Sequence, residues 1–208
     1  MTDTHPHFVK PQLIDSAYTY AEYWELIRGL MAQGKTTGTN HSADYLHYTQ
    51  LNMQRMERQD GQDLIYPELK VQLNDFSRPM TWLVLVEWWC GDVAQNLPAL
   101  HQMAEAAPAI ELRLLLRDEN PELMDQYLTD GARSIPILMS IDRSSNEVIG
   151  RWGPRPAPAQ ALLHEFKHNP NGRSKEDFHK ELHLWYARDR NETIQQEFAA
   201  LLKQWQGA

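Results

Sequence analysis

Residues 82–92 read Trp-Leu-Val-Leu-Val-Glu-Trp-Trp-Cys-Gly-Asp, and this stretch decides the fold. Its first five residues form a short, continuous apolar run, which is typical of a strand that is buried on both faces. Cys90-Gly91-Asp92 then turns the chain, and residues 93–106 show the apolar spacing of a helix. The sequence therefore predicts a buried strand that leads directly into a helix, with a cysteine at the junction.

The segments that follow complete an alternating pattern of strands and helices. The predicted elements are a strand over 110–116, a helix from Pro121 to near Gly131, strands over 135–141 and 147–152, and a helix from Pro158 through Lys167. Two strands joined by a helix form a parallel pair with a right-handed crossover, and the later hairpin adds antiparallel strands. The order β-α-β-α-β-β-α predicts an α/β fold with a mixed sheet and helices on both faces.

Helical segments flank this α/β region on both sides. Before it, helices are predicted over 15–33 with Asp15 or Ser16 as cap, over 42–58, and from Pro67 onward. After it, one helical stretch is predicted over 175–205. The chain is thus divided into a helical N-terminal extension packed on the core (1–78), the α/β core (79–170) and a helical C-terminal extension (171–208).

The composition restricts the functions that are open to the chain. Its 208 residues carry a formal net charge of −8, which disfavours binding to nucleic acid or to anionic membranes. The chain has no run of about 18 apolar residues, and its first residues lack the basic and apolar regions of a secretory signal. A single cysteine excludes an internal disulfide and a four-cysteine metal site. These features predict a cytoplasmic protein that binds neither nucleic acid nor a membrane.

Two short motifs carry a resemblance to a known family. Trp89-Cys90-Gly91-Asp92 resembles the thioredoxin active-site turn, Trp-Cys-Gly-Pro-Cys, and Ser134-Ile135-Pro136 resembles the cis-proline motif beside that turn. Together with residues 51–55 and 116–120, these motifs are similar to a bacterial group described only as thioredoxin family protein. The resemblance implies a thioredoxin-like fold over residues 82–168, and for the bacterial group it implies no established reaction.

The sequence departs from the thioredoxin pattern at two positions. The second cysteine of the family corresponds to Val93, and its buried acidic residue corresponds to Val84 if no gap intervenes. One molecule therefore cannot carry out dithiol–disulfide exchange. At Cys90 two influences oppose each other, because a helix N-terminus favours the thiolate whereas the nearby carboxylate of Asp92 disfavours it. Asp92 is also suited to cap the helix.

Cys90 is the candidate catalytic residue. As a monothiol it would attack a disulfide, or would be capped reversibly by glutathione or another small thiol, and a partner would resolve the product. The alternative is that Cys90 is a small, partly buried remnant of the fold without chemistry.

The resemblance implies a substrate-binding groove beside the cysteine. The residues assigned to this groove are Trp89, Gly91, Asp92, Arg133, Ile135 and Pro136. Pro136 would shape the groove, and the fixed charge of Arg133 would hold an anion or favour the thiolate. Arg133 is otherwise interpreted as an exposed arginine, or as the partner of Asp92 or Asp130.

Two functions of different class remain open. The first is a monothiol redox protein that acts through Cys90 on disulfides or small thiols. The second is a non-catalytic binding module that holds a peptide in the groove beside Pro136. The missing second cysteine favours the binding module, and the retained cysteine favours the redox protein. No resident cofactor is predicted, the partner is a protein or a small thiol, and the sequence does not determine the oligomeric state.

Histidines at helical spacing suggest a metal site only formally. The run His164-Glu-Phe-Lys-His168 matches the H-E-x-x-H pattern of zinc proteases. It lies on the last helix of the predicted core and has no apparent third ligand, so the match is interpreted as accidental and no metal site is predicted. His5 and His7 lie in a terminal segment that is predicted to be mobile.

Overall fold

The computed structural model describes residues 8–207, so the predicted mobility of the segment with His5 and His7 lies outside the described residues. The helices are α1 (Pro11–Asp15), α2 (Tyr20–Met31), α3 (Ala43–Asp60), α4 (Pro67–Asp75), α5 (Gly91–Glu105), α6 (Pro121–Met124), α7 (Ala157–His168), α8 (Lys175–Asp189) and α9 (Glu192–Gly207). The strands are β1 (Met80–Val86), β2 (Ile110–Leu116), β3 (Ile137–Asp142) and β4 (Val148–Trp152). From β1 to α7 the predicted order of strands and helices is confirmed.

The four strands form one mixed sheet in the order β2-β1-β3-β4. Strand β1 pairs in parallel with β2 and antiparallel with β3, and β3 pairs antiparallel with β4. The predicted thioredoxin-like mixed sheet is therefore confirmed. Because β1 lies inside the sheet, the loop at its carboxyl end emerges next to the start of β3.

The core explains why β1 is apolar at every position except Thr81. All seven of its residues are buried, and Trp82 packs edge-on against Phe198 and Trp205 of α9 at ring distances of 5.0 and 6.1 Å. The indole of Trp205 also fills the space beside Gly150 on β4, where a Cβ atom would lie 1.9 Å from the indole nitrogen. The C-terminal extension thus forms part of the main hydrophobic core.

Three sequence predictions about helices are wrong in their bounds. The helix predicted over 15–33 begins at Tyr20, because Thr19 and Glu22 form a capping box there. The helix predicted to run from Pro121 to near Gly131 ends at Met124. The C-terminal stretch predicted over 175–205 is two helices, separated where Arg190 and Asn191 adopt positive φ angles of 50° and 63°.

Two N-terminal helices hold the loop that follows β1. Trp88 is buried and stacks on Tyr23 of α2 at 4.5 Å, and its indole nitrogen donates to the carbonyl oxygen of Tyr23 at 3.2 Å. The side chain of Asn52 on α3 donates to the carbonyl oxygen of Trp88 at 2.9 Å. The loop that carries the cysteine is therefore fixed by helices outside the sheet.

No helix within residues 8–207 has the length and hydropathy needed to cross a membrane.

Candidate functional site

Cys90 lies at the junction between β1 and α5, as the sequence predicts. It is the N-cap residue of α5, and its carbonyl oxygen accepts the first helical hydrogen bond from the amide of Ala94 at 3.2 Å. Gly91 and Asp92 form the first turn of the helix. The cysteine sulfur therefore lies among backbone amides that have no intrahelical partner.

The Cys90 thiol is partly buried and hydrogen-bonded. Its Sγ donates to the carbonyl oxygen of Ile135 at 3.4 Å. Burial, and secondly the charge of Asp92, raise the pKa of the thiol to about 12. The amides of Val93 and Asp92 and the charge of Arg155 oppose this increase in the pKa but do not overcome it. At neutral pH the group is a thiol and not a thiolate.

The structure brings Ile135 and Pro136 to the cysteine. Both residues are buried, and the peptide bond between them is cis. The carbonyl oxygen of Ile135 accepts the bond from Cys90, whereas its amide has no hydrogen-bond acceptor within residues 8–207. The backbone of Ile135 therefore retains an unused donor directly beside the thiol.

Asp92 is buried and doubly bound. One carboxylate oxygen pairs with Nη2 of Arg155, and the other accepts from the hydroxyl of Tyr186 on α8 at 2.8 Å. The hydroxyl of Tyr186 in turn accepts from the side-chain amide of Asn96 at 3.1 Å. This ion pair joins the first turn of α5 to the connector before α7 and to the C-terminal extension.

Trp89 and Arg133 contact other residues than those of this network. Trp89 is partly exposed, and the guanidinium of Arg117 stacks on its ring at 4.6 Å. Arg133 is exposed and forms a bidentate ion pair with Asp125 at 2.6 and 2.7 Å. The arginine that pairs with Asp92 is Arg155, whereas the sequence predicts Arg133 as the charge near the cysteine.

A buried carboxylate also lies next to the loop. Glu87 follows β1 directly and is fully buried, and its Oε1 accepts from the amide of Asp118 at 2.9 Å. Burial raises the pKa of Glu87 to about 7, although hydrogen bonds from Thr37 and from the Asp118 amide lower it. Val84 corresponds to the family's buried acidic residue, and the buried acid of this structure lies three residues farther along the chain. A charged residue directly after an all-apolar strand was the signal that could have found it.

The histidines of the formal H-E-x-x-H match make other contacts. Nε2 of His164 lies 2.7 Å from a carboxylate oxygen of Asp130, and Nδ1 of His168 lies 2.7 Å from the carbonyl oxygen of His164. Within residues 8–207, no group of three or more histidine, cysteine or acidic side chains is arranged to hold a metal ion.

The chain is similar to known proteins in sequence and in fold. Residues 38–167 match the sequence model of a family described as thioredoxin. A 1.5 Å crystal structure of a protein of unknown function from Pseudomonas aeruginosa is 23% identical over 95% of this chain and 96% of its own, with a TM-score of 0.57. The crystal structure of an HIV epitope scaffold is 22% identical over 95% of this chain and 98% of its own, with a TM-score of 0.56. No protein with curated annotation matches the chain.

Proposed function

The chain belongs to the thioredoxin family, and from this premise we propose that it is a binding protein of that fold and not a thiol–disulfide exchanger. The groove beside Pro136 holds an extended peptide segment, and Cys90 remains a protonated thiol in the wall of the groove. The observation that carries the proposal is the hydrogen bond from Cys90 Sγ to the carbonyl oxygen of Ile135.

The state of the thiol supports binding over redox exchange. Attack on a disulfide requires a thiolate, and the burial of Cys90 together with the charge of Asp92 raises its pKa to about 12. Val93 stands where thioredoxins have the second cysteine, so the chain itself supplies no thiol to resolve a mixed disulfide.

The backbone beside the thiol supports a peptide ligand. Among residues 8–207, the amide of Ile135 has no acceptor, and its carbonyl oxygen accepts only from the weak S–H donor of Cys90. An extended peptide recognises such a pair by forming main-chain hydrogen bonds to it, as when a strand is added to a sheet. Trp89 supplies a partly exposed aromatic surface near the same loop.

A monothiol redox function is the second candidate. The amides of Val93 and Asp92 at the sulfur and the charge of Arg155 favour the thiolate. In this function the thiolate of Cys90 attacks a disulfide, forms a mixed disulfide and releases the second sulfur as a thiolate, with glutathione or another small thiol as a candidate partner. A single unpaired cysteine also supports a location in a reducing compartment such as the cytoplasm.

Alkylation of Cys90 by iodoacetamide separates the two functions, because its rate reports how much of the group is a thiolate. The signal comes from Cys90 alone, since the sequence has a single cysteine. We expect the native protein at pH 7 to react at least about tenfold more slowly than a cysteine-containing peptide, with a rate that is still rising at pH 9. The urea-unfolded protein should react at the rate of the peptide and serves as the control. A midpoint below about 8.5 in the native protein would favour the redox function.

Peptide binding is tested with cysteine-free peptides selected from a random-sequence display library against the full chain. We expect bound peptide to shift the amide resonance of Ile135 in NMR spectra, because that amide gains an acceptor. The variant Cys90→Ala should bind the same peptides with unchanged or higher affinity, since it removes the donor that occupies the Ile135 carbonyl oxygen. Selected peptides that leave the Ile135 resonance unchanged, or that no longer bind Cys90→Ala, would contradict the proposal.

A further inference from the structure

A positively charged cleft lies between α3, α8 and the turn before α9. It encloses about 520 Å³ and is lined by Arg55 and Arg58 of α3, by Arg190 of the turn, and by His183 of α8. None of its lining residues is an aspartate or a glutamate. This distribution is unusual in a chain whose formal net charge is −8.

The three arginines of the cleft lack a carboxylate partner among the described residues. Arg133 and Arg155, by contrast, are each paired with an aspartate. Three guanidinium groups around one cleft repel one another, so the arrangement favours an anion between them.

Arg55 shows the cost of this arrangement most clearly. Its guanidinium is partly buried and its polar contacts are neutral, namely Asn52 Oδ1 at 2.9 Å and His183 Nε2 at 3.5 Å. Burial, and secondly the charge of Arg58, lower the pKa of Arg55. Burial and the charge of Arg55 lower the pKa of His183 to about 4, so its imidazole is neutral at pH 7. A partly buried cation among neutral partners is costly unless an anion binds beside it.

The walls of the cleft are fixed by hydrogen bonds. The side-chain amide of Gln59 on α3 donates to the carbonyl oxygen of Ala94 on α5 at 2.9 Å. The side-chain amide of Asn191 donates to Gln59 Oε1 at 3.1 Å and so ties the turn before α9 to α3. An anion entering the cleft would therefore meet a preformed site.

We propose that this cleft binds a small anionic molecule through a phosphoryl or carboxylate group. Guanidinium groups bind both of these groups through paired, charge-assisted hydrogen bonds. A Cβ atom on Gly91 would lie 4.0 Å from Arg55 Nη1, so the cleft begins one residue from Cys90. The cleft borders the cysteine loop at Gly91, but anion binding there does not depend on the function proposed for the groove beside Pro136.

Titrations with inorganic phosphate and with succinate, followed by NMR at constant ionic strength, test the site. We expect saturable shifts of the Gln95 and Asn191 side-chain amides, which line the cleft, with a Kd on the order of 1 mM for at least one anion. The variants Arg55→Gln and Arg58→Gln should each weaken that binding by about tenfold or more. The tighter anion of the two identifies a phosphoryl or a dicarboxylate ligand.

Two further measurements make the test decisive. Arg188→Gln is the matched control, because Arg188 is exposed on α8 and does not line the cleft. This variant should bind the anion with the wild-type affinity. Without an anion, Arg55→Gln should unfold at an unchanged or higher temperature, since it removes an unpaired charge. Shifts that do not saturate, or binding that survives both Arg55→Gln and Arg58→Gln, would overturn the proposal. Because Arg58 is exposed, its variant tests the site without disturbing buried contacts.

Discussion

Replacing Asp92 with asparagine is expected to lower the free energy of unfolding by about 3–5 kcal/mol. The Asp92 and Arg155 side chains are only 10% and 12% exposed. Asparagine keeps the shape of the side chain but removes its charge, and it leaves the guanidinium of Arg155 buried without an anion. Removing one partner of a buried ion pair is far more costly than removing the whole pair, because an uncompensated charge remains.

Urea unfolding measures this effect, and the structure offers a matched control. Asp125→Asn breaks the pair with Arg133, whose two side chains are 49% and 52% exposed, and should lower stability far less than Asp92→Asn does, because solvent screens an exposed pair. The double variant Asp92→Asn/Arg155→Met should be more stable than Asp92→Asn alone. A loss below about 1 kcal/mol in Asp92→Asn would show that the buried pair contributes little.

The variant Asp92→Asn should also lower the pH midpoint of Cys90 alkylation, because the charge of Asp92 raises the pKa of that thiol.

The sheet could be predicted from the sequence because its signal is local. The apolar run over 82–86 locates β1, which the structure extends to Met80–Val86, and the strand predicted over 110–116 is β2. β1 is buried along its whole length and is apolar except for Thr81, and β2 ends in a buried apolar run at 114–116, so both patterns can be seen within a few residues of sequence. The cysteine at the end of β1 was located by the same reasoning.

The C-terminal helices could not be separated from the sequence. Their boundary at Arg190 and Asn191 has no glycine or proline, which are the usual signals of a helix end. Both residues adopt left-handed backbone angles, a conformation that asparagine tolerates and that is uncommon for arginine. The contact of α9 with the sheet through Trp205 lies far from this turn in the sequence.

The charges of the site could not be assigned either, because they come from distant segments. Arg155 lies 63 residues after Asp92, in a proline-rich connector that has no regular pattern. Arg133 was the more obvious candidate because it precedes Pro136 in the family motif, but its partner is Asp125. Local sequence specifies which residue starts α5, whereas the path of the connector decides which charge reaches it.

Replacing Glu87 with glutamine is expected to change the pH dependence of stability. The pKa of Glu87 is raised from 4.5 to about 7 in the folded protein, chiefly by burial. Between these values the unfolded chain loses the proton while the folded chain keeps it, so this residue lowers stability as the pH rises from 4.5 to 7. Glutamine resembles the protonated form and cannot ionise. Relative to the wild type, Glu87→Gln should therefore gain about 3 kcal/mol between pH 4 and pH 8.

Urea unfolding of both proteins across this pH range isolates the effect of Glu87, because all other ionisable groups contribute equally and cancel. Glu122→Gln is a suitable control, since Glu122 is exposed and its variant should follow the wild-type curve. Curves for Glu87→Gln and wild type that stay parallel from pH 4 to pH 8 would mean that Glu87 is ionised in the folded protein. The expected divergence would instead establish a neutral carboxyl group three residues before Cys90. The thiol would then have one fewer negative charge near it below pH 7, and Asp92 would be the carboxylate that sets its reactivity.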